Sequence, residues 1–308
     1  MGADILAVKS ASNLIRVLID ANINLFVYGY VGCVMAINFD VVIDTPDYEV
    51  DMKTGLDTLQ GVSDATRTIA ETVLTGRVPQ RKTYKSDVRT TLKKSFKGSY
   101  GQIFSLEISD EDLKKEYRRI GNSTFSELMS FFMKEALDLE VDELSDKAQK
   151  VVAALGNNAE RLVKQLRTSI MKNAHEVSKK FGYDVRVNYR NGMAGKVELA
   201  KFDKTTASAL EAKKSAKKIR VFASVRRFNT NTGNGRLQLQ GREETVAFGF
   251  DITYRDVKLA TKKKFSENLD YNNGIDIEKW KYLEIIVSPI ELNDGSVIKY
   301  IVSGFHDD

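Results

Sequence analysis

The chain is poor in the residues that mark several protein classes. One cysteine among 308 residues, Cys33, cannot close an intrachain disulfide. It lies in the apolar run Val31-Gly32-Cys33-Val34-Met35, where a thiol reads as a small core hydrophobe. The two histidines, His175 and His306, stand too far apart to form a local zinc motif, and neither has a nearby serine or cysteine in a nucleophile arrangement. His175, inside a polar helical segment, reads as exposed or locally paired. Three prolines give little sign of long flexible linkers. The nearest thing to a membrane span, residues 25 to 37, has 13 residues where roughly 20 are needed, so a membrane partner is not expected. A lysine-led leader with a small-residue cleavage site does not open the sequence, and a reducing, cytoplasmic location is the expectation.

What is present is an ordinary globular composition, 42% hydrophobic and 29% charged, in a chain long enough for two or three domains. The formal charge is +5, and its excess is local. From Asp184 onward there are 22 Lys and Arg against 17 Asp and Glu, whereas the preceding part balances at 25 of each. Within the balanced part, a basic block at 77 to 97 is followed by an acidic one that includes Asp138, Glu140, Asp142, Glu143 and Asp146. Such blocks pair inside a fold or face different partners. The acidic block lacks the glycine and oxygen spacing of an EF-hand loop and reads as a solvated segment between helices.

Hydrophobic periodicity predicts a helix over 4–23, strands within 26–50, and a strong helix over 55–75 with Thr54 as cap and Gly76 just past its end. A hairpin follows at 87–108, then helices from 110 to 181 broken at Gly121 and at Gly156-Asn157-Asn158. From Asp184 the pattern becomes one of short strands with Asn/Gly turns, at 184–189, 195–202, 219–228, 235–239, 244–252, 281–290 and 297–303. The expected fold is α+β: a mixed α/β and helical domain over 1–182, then a small β-barrel or sandwich over 183–308.

The strongest candidate binding surface lies in the second part. Lys213, Lys214, Lys217, Lys218 and Arg220 place five cations in eight residues, and Arg226, Arg227 and Phe228 follow on the same run, with Arg236 beyond the turn. Strand alternation puts Arg220, Phe222, Ser224, Arg226 and Phe228 on one face. Cations that follow phosphates and rings that stack on bases are what oligonucleotide-binding barrels use, so DNA or RNA is the expected partner. The competing reading makes Phe222 and Phe228 core residues and has the arginines cover a neighbouring acidic surface. The turn at 229–235 has no phosphate-loop lysine and opens no helix, so it reads as a hairpin connection. A second basic and aromatic group, Tyr84, Lys85, Arg89, Lys93, Lys94, Phe96, Lys97 and Tyr100, splits between two strand faces and reads as a solvated edge that resists strand addition.

Signals for catalysis are poor. Asp44, Asp47, Asp51 and Lys53 loosely match the acids and lysine of a metal-dependent nuclease, with the spacing compressed. The chain therefore reads as non-enzymatic, without a cofactor. A protein-interaction or ligand-sensor subunit, with a protein partner or a homo-oligomer, is the alternative.

The segments Leu59-Gln60-Gly61-Val62-Ser63-Asp64-Ala65 and Val225-Arg226-Arg227-Phe228-Asn229-Thr230-Asn231-Thr232-Gly233-Asn234-Gly235-Arg236 resemble an uncharacterised family of bacterial proteins, some of them in anti-phage defence loci. The resemblance spans residues 38 to 303. It implies a strand-helix-hairpin unit with helices, then a small C-terminal barrel, and it brings no catalytic residues. Residues 1 to 25 depart from that pattern.

Overall fold

The computed structural model describes residues 34–80, 85–96, 99–192 and 195–305. Cys33, His306, Tyr84 and Lys97, the helix expected at 4–23 and most of the apolar segment 25–37 lie outside them. The chain is α+β, with one open sheet under a layer of helices and one closed barrel.

The first sheet is antiparallel. Its strands are β1 (Met35–Ile43), β2 (Val88–Phe96), β3 (Tyr100–Ile108), β4 (Val185–Arg190) and β5 (Lys196–Phe202), in the order β2-β3-β1-β4-β5. Alternation decides its faces: Ile37, Phe39, Val41 and Ile43 point to the helices, whereas Asp40 points to the other face. Asp40 is fully buried yet satisfied, because Asn188 Nδ2 (2.7 Å), Arg190 Nη1 (2.6 Å) and Lys196 Nζ (2.9 Å) all reach it.

Helix α1 (Met52–Thr75) crosses the inner face. Its N-cap is Asp51, not Thr54: the Asp51 carboxylate accepts from Thr54 N at 2.9 Å. That bond holds the Asp51 pKa below the usual carboxylate range. Gly76 closes the helix in the left-handed conformation, as the sequence leads one to expect. Helices α2 (Glu111–Ile120), α3 (Asn122–Ala136), α4 (Asp146–Leu155), α5 (Asn157–Gln165), α6 (Met171–Ala174) and α7 (Glu176–Phe181) complete the layer, with a π-helical turn at Leu166–Ile170.

Strands β4 and β5 correct the expected domain boundary near Gly182. β4 pairs with β1, and Val185, Val187, Leu199 and Phe202 join the same core as α1 and α3. The first unit runs on through α8 (Lys204–Glu211), and the second core contains none of these residues. The change from helical to strand pattern at 182 falls inside one domain.

His175 ties these late elements together. It is buried, not exposed: Nδ1 lies 2.6 Å from the Met171 carbonyl oxygen and Nε2 2.9 Å from Thr206 Oγ1, with Phe202 4.7 Å from its ring. A carbonyl can only accept, so Nδ1 carries the proton and Nε2 accepts from the Thr206 hydroxyl. Burial pushes its pKa down to about 4, against the opposing effects of the Met171 carbonyl and the Asp203 charge. The folded state therefore favours neutral His175. That stabilisation is complete above pH 6.5 and is lost as pH falls toward 4, at most about 3 kcal/mol over the window. Urea midpoints of the wild-type protein should fall between pH 7 and pH 4.5 more steeply than those of His175→Gln. Parallel pH dependences would remove His175 as the cause.

The second unit consists of β6 (Lys213–Lys214), β7 (Ile219–Phe228), β8 (Gly235–Leu239), β9 (Thr245–Phe250), α9 (Leu259–Asn272), β10 (Leu283–Glu291) and β11 (Val297–Phe305). Strands β7-β8-β9-β11-β10 pair in that order, and β10 returns to β7, which closes a five-stranded barrel. Only β9 and β11 run parallel, and α9 occupies the connection between β9 and β10. Ala223, Val225, Leu237, Phe248, Ile285, Val287 and Val302 fill it, with Phe265 of α9 packed against Phe248 at 5.1 Å. Among the described residues, no helix is long and apolar enough to cross a membrane.

Candidate nucleic-acid interface

The expected face of β7 is divided by a bulge. Val225 pairs with Leu237 and Arg227 with Arg236, so Arg226 is an extra residue on β7. Before the bulge, Val221, Ala223 and Val225 belong to the barrel core while Arg220 and Phe222 are exposed. After it the alternation resets, and Phe228 packs against Phe248 (6.0 Å) and Phe265 (5.9 Å). Phe228 therefore shares no outer face with Phe222 and is not free to stack on a base. Ser224 is covered as well, with Asn272 of α9 donating to its hydroxyl at 2.9 Å.

Arg220, Phe222 and Arg226 remain on the outer surface. Phe222 is 45% exposed, and Arg220 Nη1 pairs with Glu284 Oε1 on β10 at 2.8 Å. Arg226 lies over the ring of Trp280 at 4.4 Å, and Lys281 over Tyr271 at 3.8 Å. The carbonyl of Lys281 accepts from both Asn268 and Asn272, whose side chains also hold β7, so these aromatics are fixed beside that strand. Trp280, Tyr271 and Lys281 escaped the sequence reading because they lie in a connection outside any basic run. The one signal available was that Trp280 is the chain's single tryptophan.

Lys213, Lys214, Lys217 and Lys218 are exposed at the start of the barrel. Lys214 pairs with Asp251, so three of the four keep their charge unpaired by any described residue.

The turn after β7 is a joint with the helical unit. Asn229 Oδ1 accepts from the backbone N–H of Asn231 (2.9 Å) and Thr232 (3.1 Å), which winds the turn locally. Gly233 adopts φ 74°, and a Cβ there would stand 2.4 Å from the Tyr254 ring, so both conformation and space require glycine. Thr232 Oγ1 and Asn234 Nδ2 both donate to Glu135 Oε1, at 3.0 and 2.9 Å. Just beyond, Asp138 pairs with Lys299 (2.7 Å) and Arg167 (2.6 Å). Arg236 uses Nε and Nη2 on Thr245, both at 2.8 Å, and directs Nη1 toward the Asp138 carbonyl at 3.5 Å. Arg236 thus belongs to the joint. The end of α3 and its following turn lie against strands β8 and β9.

Two of the acids of the nuclease reading have other occupations. Asp51 caps α1, and Asp44 accepts from Arg186 at 2.6 Å and Ser99 at 3.2 Å. Among the described residues, no group of three His, Cys, Asp or Glu could hold a metal ion. The basic strand β2 is an edge with exposed Lys93 and Lys94, and Lys93 pairs with Glu107 at 3.0 Å.

Compared with protein families, curated proteins and solved structures, the chain matches none.

Proposed function

We propose that this protein is a non-enzymatic, nucleic-acid-binding component, and that single-stranded nucleic acid lies along the outer face of β7. The observation that carries this reading is the exposed Phe222, flanked by Arg220 and by the Arg226–Trp280 stack. Lys217 and Lys218 extend the positive charge at one end of the strand and Lys281 at the other. Bases would stack on Phe222 and Tyr271, and phosphates would follow the cations. A role in a bacterial anti-phage assembly is the proposal that the sequence resemblance adds.

The test is binding of labelled single- and double-stranded oligonucleotides across a salt series. With Lys217, Lys218, Arg226 and Lys281 each neutralising one phosphate, log affinity should fall with log salt at a slope of roughly −2.8 on single strands. Phe222→Ala should weaken binding by about 1 to 3 kcal/mol with little change of slope, whereas Arg226→Glu should lower both. Absence of binding at low salt, or binding insensitive to salt, rejects the reading.

A second reading, an interaction subunit, has its own observation. Tyr48, Met52, Leu56 and Phe181 are exposed around the start of α1 and the end of α7, beside a hollow lined by Pro46, Val50 and Tyr183. Contiguous apolar surface of this kind marks association sites. An oligomer that ignores both DNA and RNA in the same experiment would favour it.

A further inference from the structure

Between the barrel and the turn after α3 lies a cleft of about 480 Å³. One wall carries Arg227 and Arg236 and the other Glu140, Asp142 and Glu143, while Phe228 and Leu269 contribute apolar surface between them. Asp142 is occupied by Lys134 at 3.1 Å. The side chains of Arg227, Glu140 and Glu143 make no direct hydrogen bond or ion pair with any described residue, and the charge of Arg227 reaches Asp142 only at longer range. Three charged groups, one positive and two negative, thus line one cleft without a direct ion pair. Its volume lies within the usual range of small-ligand sites, and its position between two units is where such sites concentrate.

We propose that this cleft binds a guanine mononucleotide, with its phosphate on Arg227 and its base toward Glu140 and Glu143. The opposed walls set the orientation, since a phosphate is attracted by the arginine wall and repelled by the carboxylates. The acidic wall needs hydrogen-bond donors from the ligand, because ionised carboxylates only accept. Guanine presents two adjacent donors, N1–H and the N2 amino group, along one edge. Adenine offers its amino group beside ring acceptors, which would face the carboxylates unfavourably. Leu269 and the part of Phe228 that reaches the cleft give a base apolar surface to pack against, without stacking on the Phe228 ring, which the barrel's own aromatics occupy. Arg226 borders both this cleft and the outer face of β7, whereas Arg220 and Phe222 do not line the cleft, so Phe222 is the residue that separates the two sites.

Calorimetric titration of the full chain with GMP, AMP, guanosine and inorganic phosphate tests it. GMP should bind with a dissociation constant at or below about 1 mM, and phosphate or guanosine alone at least about tenfold more weakly. Arg227→Gln should weaken GMP about tenfold while leaving guanosine unchanged, and Glu140→Gln with Glu143→Gln should bring GMP and AMP to similar affinities. Phe222→Ala should leave GMP binding intact, which separates this site from the strand face. No binding of GMP by the wild-type protein at millimolar concentration overturns the proposal. So does phosphate binding as tightly as GMP, or an Arg227→Gln protein that binds GMP normally.

Discussion

Gly61→Ala is expected to destabilise the protein by about 3 kcal/mol or more, although alanine is the better helix former. Position 61 lies in the interior of α1, and helix propensity alone would make the substitution stabilising by roughly 0.5 to 1 kcal/mol. Packing reverses the sign. A Cβ on residue 61 would stand 2.2 Å from the backbone N of Ala174, and 2.7 Å from the carbonyl carbon of Asn173. These are backbone atoms at the end of α6, so no side chain can rotate away, and the helices must separate. The same crossing contains the bond from Val177 N to the Thr58 hydroxyl, at 3.1 Å, and the buried His175 that follows Ala174. Separation would strain both. Gly76→Ala is the control. Gly76 has φ 70° but nothing within 4 Å of its Cβ position, so its cost should be the left-handed backbone alone, about 1 kcal/mol. Urea denaturation followed by circular dichroism measures both. A Gly61→Ala protein as stable as wild type, or less affected than Gly76→Ala, would show that α1 and α6 do not meet this closely.

Local elements were legible in this sequence where short-range chemistry determines them. The α1 stripe, the glycine that closes it, the β2–β3 hairpin and the barrel strands each follow from periodicity and turn residues within a few positions. The errors have physical causes at longer range. Strands β4 and β5 read as part of the barrel because their composition is strand-like, while membership of a sheet depends on pairing with β1, nearly 150 residues earlier. Alternation by two puts Phe228 on the outer face because it assumes a regular ladder, and one bulge at Arg226 shifts the phase. The Asn/Gly turn has the look of a binding loop because a joint between units needs the same residue types, small and rich in donors. Its acceptor, Glu135, lies 97 residues from Thr232 and carries no local mark of that role. In the competing reading, Phe222 and Phe228 are core residues and the arginines cover a neighbouring acidic surface: Phe228 does join the core and Arg220 pairs with Glu284, whereas Phe222 and Arg226 remain on the surface.

Asp138 is where the joint between the two units is most exposed to a single change. Its carboxylate is nearly buried, 8% exposed, and holds two cations, Arg167 from the π-helical turn and Lys299 from β11. Removing the anion leaves two cations facing each other, Arg167 still held by the Ala136 and Ala209 carbonyls and Lys299 by Asn234, so the loss should be roughly 2 to 4 kcal/mol, somewhat below that of an uncompensated buried charge. An exposed pair would be worth about 1 kcal/mol or less, so the size of the effect distinguishes a joint from surface decoration. Asp138 has φ 57°, a conformation that asparagine tolerates, and Asp138→Asn therefore removes the charge with little added backbone strain. The loss should appear as undocking before either core melts, because each unit has its own hydrophobic cluster. Trypsin should then cut the lysines at 213–218, where the barrel begins, faster than in wild type, and thermal unfolding should divide into two transitions. Adding Lys299→Met removes one of the stranded charges and should recover part of the loss, as apolar replacement of a buried ionic partner does. A single transition displaced by less than about 1 kcal/mol, with unchanged proteolysis, would mean that Asp138 does not hold the barrel to the helical layer.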